Sequence, residues 1–137
     1  MRRHHRMPFG VERQPDGASR FRLWAPAARH VDLCLEDGSK ESILAMPPEK
    51  DGWFSLTTDR AGPGALYRYR IDGDRRVPDP ASRFQPQDVH GPSQVIDSAA
   101  WEWTDGEWRG RPWEEAVVYE LHVGAFTQSG NYAGVLQ

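Results

Sequence analysis

The chain predicts an all-β protein whose first hundred or so residues form an antiparallel β-sandwich. Three observations predict it. Asp-Gly, a dipeptide that tolerates the positive φ angles of tight hairpin turns, occurs five times: Asp16-Gly17, Asp37-Gly38, Asp51-Gly52, Asp72-Gly73 and Asp105-Gly106. Between these turns, apolar residues recur at every second position, the period of a strand with one buried face. No stretch before Ala116 holds a helical period long enough to compete.

The chain begins with Met1-Arg2-Arg3-His4-His5-Arg6, a basic run without the apolar segment of a signal peptide. Residues 1–8 read as a disordered tail, and His4-His5 as solvated side chains rather than metal ligands. Phe21-Arg22-Leu23-Trp24-Ala25 is the first alternating segment. In Val31-Asp32-Leu33-Cys34-Leu35-Glu36, Val31, Leu33 and Leu35 share one face and Asp32, Cys34 and Glu36 the other. Trp53-Phe54-Ser55-Leu56-Thr57 is the third. Leu66-Tyr67-Arg68-Tyr69-Arg70-Ile71 alternates again, with Tyr67, Tyr69 and Ile71 inward and the arginines outward.

From Val77 to Ser93 the pattern changes. Pro78, Pro80, Pro86 and Pro92 rule out a central strand, so this is an ordered irregular loop over one edge or end of the sandwich. Gln94-Val95-Ile96-Asp97 is a short closing strand, and the sandwich spans residues 9–98. Residues 99–115 read as a connector. It carries Trp101, Trp103, Trp108 and Trp113, whereas a flexible linker would be rich in glycine and serine and poor in aromatics. Ala116-Val117-Val118-Tyr119-Glu120-Leu121-His122-Val123-Gly124-Ala125-Phe126 then reads as a largely buried strand of a parallel sheet. A parallel sheet needs a crossover and a second strand, and eleven residues are too few for both. Residues 116–137 are therefore expected to be the severed start of a second domain.

Composition narrows the function. The net charge of −3 argues against a nucleic-acid partner, which would call for a basic excess. No apolar run approaches membrane-spanning length, so no membrane partner is expected. A single cysteine, Cys34, cannot form an internal disulfide and suits a reducing, cytoplasmic setting.

Most catalytic signatures are missing. There is no Cys-x-x-Cys and no His-Glu-x-x-His, so no zinc site is expected, nor any other cofactor. Gly62-Pro63-Gly64 reads as a tight turn rather than a dinucleotide loop. Asp72-Gly73-Asp74 lacks the closing glutamate of a calcium loop and reads as a hairpin tip. Glycoside hydrolysis needs two carboxylates flanking a bond. Glu114 and Glu115 read as surface charge, and Glu120, inside the expected strand, as one half of a structural ion pair. The aromatics carry a second reading. Trp24, Trp53, Tyr67 and Tyr69 are candidates for a platform that stacks on pyranose rings, against the alternative that Trp24 and Tyr69 belong to the core.

Specific runs then match a known family. Phe21-Arg22-Leu23-Trp24-Ala25-Pro26 followed by Val31-Asp32-Leu33 resembles the start of the N-terminal immunoglobulin-like (early-set) module of α-amylase-superfamily enzymes. Pro78-Asp79-Pro80-Ala81-Ser82-Arg83-Phe84-Gln85-Pro86, Val89-His90-Gly91-Pro92-Ser93, Trp108-Arg109-Gly110, Pro112-Trp113 and Val118 to Thr127 resemble the maltooligosyltrehalose trehalohydrolases within it. The resemblance covers about residues 9 to 137.

It implies that the strand at Ala116 is the first of a (β/α)₈ barrel, with Asn131 to Gln137 approaching the first barrel helix. Catalytic residues in such barrels lie on loops after later strands, so no residue here is expected to be catalytic. The implied reaction is hydrolysis of the α-1,4 bond next to a terminal trehalose unit, in trehalose biosynthesis, by retaining two-carboxylate chemistry. The expected role of this chain is scaffolding. Trp101, Trp103, Trp108, Trp113, Tyr119, Glu120 and His122 would face the chain's own C-terminal catalytic barrel. The alternatives are a module that binds maltooligosaccharide and a stand-alone immunoglobulin-like interaction domain. The unpartnered apolar strand is also expected to drive docking or self-association.

Overall fold

A computed structural model describes residues 9–38, 40–98 and 100–136. The expected basic tail with His4-His5 lies outside the described residues. The chain divides into two compact units between Glu102 and Trp103, inside the expected connector.

In the first unit, strands follow in chain order: β1 (Gly10–Arg13), β2 (Ser19–Trp24), β3 (Val31–Asp37), β4 (Lys40–Ala45), β5 (Trp53–Thr58), β6 (Leu66–Ile71), β7 (Arg75–Val77) and β8 (Ser93–Gln94). They form a three-stranded sheet, β1-β2-β5, and a five-stranded sheet, β4-β3-β6, whose β6 edge is shared by β7 and β8. Every pairing is antiparallel. The inner faces meet in one core. Val11, Phe21, Leu23 and Phe54 come from one sheet, and Val31, Leu33, Tyr67 and Tyr69 from the other. Across the sheets the Phe21 and Tyr67 rings meet edge-on, centroids 5.0 Å apart. The all-β sandwich expected from the alternation is the architecture observed.

The turns follow the Asp-Gly code. Asp72 (φ 50°) and Gly73 (φ 91°) are both left-handed, as the two central residues of a tight hairpin between β6 and β7 must be. Asp72 Oδ1 also accepts from the backbone N–H groups of Arg29 and His30, 2.9 Å each. These donors hold its carboxyl below the usual range. Asp51 (φ 59°) and Gly52 (φ 80°) start β5. A Cβ at Gly52 would lie 2.6 Å from Pro26 Cα, a backbone atom that cannot move aside cheaply. Gly52→Ala is therefore expected to lower the unfolding free energy by about 2 kcal/mol or more, read as a shifted midpoint in urea.

The proline-rich loop is an ordered strap tying the two sheets together. Asp79, 3% exposed, accepts from Tyr67 Oη (2.7 Å) and Tyr69 Oη (3.3 Å) of β6 and from the Ala81 N–H (2.7 Å). Its own N–H donates to Ser93 Oγ of β8 (3.0 Å). On the other side, Arg83 donates to the Val11 carbonyl of β1. The Gly10 position lies so near Ala81 O that an added Cβ would sit 3.1 Å away.

The outer face of the five-stranded sheet is a ladder of ion pairs: Asp32–Arg70 (2.9 Å), Glu36–Arg68 (2.8 Å) and Glu41–Arg76 (2.6 Å). Cys34 lies on this face, as its alternation requires, yet it is wholly buried. Its cross-strand neighbours are Ile43 and Arg68, and burial pushes its thiol pKa up. The closing strand is also shorter than expected, two residues at Ser93–Gln94.

The second unit overturns the strand expected at Ala116–Phe126. Residues 116–122 form no strand, and Val123–Phe126 is one helical turn, α1. Ala116 and His122 keep extended dihedrals. A strand is completed by a neighbour that takes its N–H and C=O groups, and no strand occurs among the described residues of this unit. Glu120 is accordingly exposed rather than enclosed in a sheet. A second helical turn, α2 (Tyr132–Val135), is capped by Asn131, whose Oδ1 accepts from the Gly134 N–H at 3.0 Å. Among the described residues, no helix is long and apolar enough to cross a membrane.

Candidate functional site

The outer face of the three-stranded sheet differs from the ion-paired ladder opposite. Along β2, Arg20, Arg22 and Trp24 point away from the core while Phe21 and Leu23 point into it. Trp24 lies directly across from Trp53 at the start of β5. Residues directly opposite across an antiparallel pair have Cβ atoms about 4.5–5.5 Å apart, close enough for rings to adjoin.

Three contacts hold these groups in place. Trp24 Nε1 donates to the Asp51 carbonyl (3.0 Å), so the left-handed turn before β5 orients the indole. The Arg22 guanidinium lies over the Trp53 ring, 4.5 Å from its centroid. Arg22 Nη2 also donates to Glu49 Oε2 (2.9 Å). Glu49 is positioned in turn by backbone bonding to β5, its N–H donating to the Trp53 carbonyl (2.7 Å).

Arg22, Leu23, Trp24 and Trp53 form one side of a cleft of about 360 Å³. Phe9, Asp79, Pro80 and Ala81 line it too. The volume falls within the range of small-molecule sites. The lining is mainly apolar, with the Arg22 guanidinium and the Asp79 carboxyl as its ionisable groups.

The expected platform residues separate. Trp24 is 59% exposed, against the reading that placed it in the core, and Trp53 is half-buried beside it. Tyr67 and Tyr69 are completely buried, their hydroxyls on Asp79, so neither can offer a ring face to a sugar. Burial, with the Asp79 charge added, pushes both phenols above their usual range. The alternation of β6, which reads Tyr67 and Tyr69 as inward, holds for both, and the platform reading of these two tyrosines runs against it. Residues outside the expected set also matter: Arg22, Phe9, Pro80 and Ala81 line the same cleft, and Glu49 pairs with Arg22.

Trp101, Trp103, Trp108, Trp113, Tyr119, Glu120 and His122, expected at a barrel interface, are all exposed. Among the described residues, no group of three or more His, Cys, Asp or Glu is arranged to hold a metal ion. The chemistry this arrangement offers is ring stacking and hydrogen bonding.

Comparison with known proteins agrees with this architecture. The family profile of carbohydrate-binding module 48 (isoamylase N-terminal domain) matches residues 8–87. Over 131 residues the chain is 40% identical to the malto-oligosyltrehalose trehalohydrolase of Saccharolobus solfataricus, covering 96% of this chain and 22% of that protein. It is 38% identical over 127 residues to the enzyme of the same name from Rhizobium sp. strain M-11, covering 90% and 21%. Among solved structures, a provisionally assigned alpha amylase from Salmonella typhimurium superposes with a TM-score of 0.79 at 40% identity, over 92% of this chain and 21% of that one. The chain thus spans about a fifth of the length of these relatives. With its two antiparallel sheets and a profile match across more than half its residues, the chain belongs to the carbohydrate-binding module 48 (isoamylase N-terminal domain) family.

Proposed function

We propose that this chain is the N-terminal, non-catalytic part of a cytoplasmic, trehalose-releasing glycoside hydrolase, and that it acts mainly as a scaffold for the catalytic barrel. In this reading residues 9–98 are an immunoglobulin-like module and residues 99–115 a connector. Residues 116–137 are the start of the barrel, where the extended segment from Ala116 gains its partner strands. The hydrolysis itself, of the α-1,4 bond beside a terminal trehalose unit, belongs to residues beyond these 137.

The observation that carries this reading is the exposed apolar tract of the second unit. Trp103, Trp108, Trp113, Val117, Val118, Tyr119 and Phe126 are all exposed, Val117 to 94%. Burying one large apolar side chain stabilises by about 1.5–3 kcal/mol, so the tract favours a covering surface. The relatives' length supports that surface being the rest of the same polypeptide. In the chain alone, the same tract would drive self-association.

The test is trehalose release from maltooligosyltrehalose by the full-length protein that contains this sequence. Release by the long protein, none by the 137-residue chain, and a lower melting temperature for the long protein carrying Trp113→Ser and Tyr119→Ser are the expected results. Activity in the short chain would refute the reading.

A second reading, binding of an α-glucan, is favoured by the cleft beside Trp24 and Trp53. It adds to scaffolding rather than replacing it. Titration with maltooligosaccharides should quench tryptophan fluorescence saturably, and Trp53→Ala should remove the effect. No response at millimolar sugar would exclude it.

A further inference from the structure

We propose that the loop of residues 84–90, within the strap, is a docking element for a downstream part of the same polypeptide. This rests on the scaffolding reading above. It adds a contact made by the sandwich itself, separate from the apolar tract of the second unit.

The strap has two sides of opposite character. Asp79, Gly91, Pro92 and Ser93 are buried against the sandwich. Phe84 and Val89 are 48% and 70% exposed, and Pro86 between them is exposed as well. A single apolar side chain on a surface needs no explanation. These three share one loop, and loop tips are ordinarily small and polar.

The loop is closed by its own hydrogen bonds. Gln85 Nε2 donates across it to the Val89 carbonyl (3.1 Å). Asp88 Oδ1 accepts from the N–H groups of His90 (2.6 Å) and Gly91 (3.1 Å). At the base, the Phe84 carbonyl accepts from the Gln94 N–H (2.9 Å) and Ser82 Oγ (3.0 Å). Arg68 of β6 donates to the His90 carbonyl (3.2 Å). The turn is tight enough that a Cβ at Gly91 would lie 2.9 Å from Gln87 Cβ. The apolar side chains are thus held in one arrangement, and the entropy of ordering them is spent before any partner arrives.

Size and charge select the occupant. An interface between separate molecules ordinarily buries about 800 Å² on each side, and three side chains of one loop fall well short of that. A partner on the same chain needs less area, because the tether supplies a high effective concentration. Residues 83–91 carry one charge of each sign, Arg83 and Asp88. Arg83 donates to the Val11 carbonyl, and Asp88 accepts the two N–H groups above. The fitting surface is therefore apolar and uncharged. The chain spans about a fifth of its relatives' length, so a protein of their size has ample downstream chain to supply it.

The experiment is maleimide labelling of Val89→Cys in two settings, the 137-residue chain at micromolar concentration and the full-length protein that contains this sequence. Mass spectrometry identifies the labelled peptide, and each rate is divided by that of the same site in urea-unfolded protein. The native Cys34 is wholly buried and adds little background. Circular dichroism establishes that each variant is folded. Labelling is expected to be at least about tenfold slower in the full-length protein than in the chain. Phe84→Ser should lower the melting temperature of the full-length protein by several degrees and that of the chain by clearly less.

Equal normalised rates in the two proteins, with trehalose released by the longer one, would overturn the docking element and leave the scaffolding reading standing. Protection in the short chain that grows with its concentration would overturn it too, by assigning the loop to a second copy. Protection in a full-length protein that releases no trehalose would support the docking while removing the trehalose-releasing reading.

Discussion

Replacing Phe21 with alanine is expected to lower the unfolding free energy by about 3–5 kcal/mol. Phe21 is completely buried on β2, and its ring meets Tyr67 edge-on across the interface between sheets. Alanine there removes the largest inter-sheet aromatic contact of β2 and leaves a cavity. The neighbouring strands cannot close it without disturbing the pairing of Phe21 with Val11 and Leu56. Urea denaturation followed by circular dichroism would measure the loss. Phe21→Leu, which keeps much of the volume, should cost clearly less. Equal losses for both variants would mean that packing across the two sheets is not what holds them together.

Asp79→Ala is expected to cost about 2–3 kcal/mol, chiefly through what it leaves behind. Two buried tyrosine hydroxyls and the Ala81 N–H lose their acceptor together. Adding Tyr67→Phe and Tyr69→Phe in the alanine background should restore part of the loss, because the orphaned hydroxyls are then gone. A triple variant no more stable than Asp79→Ala would contradict this.

The pH dependence supplies an independent check. Burial pushes the Asp79 carboxyl above its ordinary range, although hydrogen bonds from Tyr67, Ala81 and Tyr69 and the nearby Arg83 charge oppose the shift. A group with a raised folded pKa contributes stability that is complete below its unfolded value and is lost as pH rises through the folded value. Relative to Asp79→Asn, the wild type should therefore gain stability as the pH falls from neutral toward the carboxylate range. A difference that shrinks on acidification would reverse the assignment.

How much was legible in the sequence varied with position in the sheets. The central strands β2, β3 and β6, and β5 beside them, have one face in the core, and alternation in Phe21-Arg22-Leu23 or Tyr67-Arg68-Tyr69 reports that directly. Three edge strands, β1, β4 and β7, were not foreseen, although β5, also an edge strand, was. β4, Lys40-Glu41-Ser42-Ile43-Leu44-Ala45, has no fully buried residue, and β1 and β7 are short and carry charges. Such strands are recruited by their neighbours' free N–H and C=O groups, a cause outside their own side chains. The same dependence explains the opposite error at Ala116–Phe126. There the side chains suit a strand, but pairing is a property of two segments.

The candidate site divided along the same line. Trp24 and Trp53 could be picked out as aromatics, and the Asp51-Gly52 turn that orients Trp24 was visible as a dipeptide. The partnership of Arg22 with Glu49 spans 27 positions and exists only because the segment before β5 folds back alongside it. Asp79 looked like part of an irregular proline-rich run. Its role as an anchor for two tyrosines came from the register of β6 against the strap.

The ion-paired ladder over Cys34 alters what its lone thiol can do. A sulfur with no solvent access and a raised pKa is a poor nucleophile, because the attacking species in thiol exchange is an exposed thiolate. Joining two folded copies through it would first require the sheet to open locally. The folded sandwich thus keeps its one thiol out of exchange through burial, the same burial that raises its pKa.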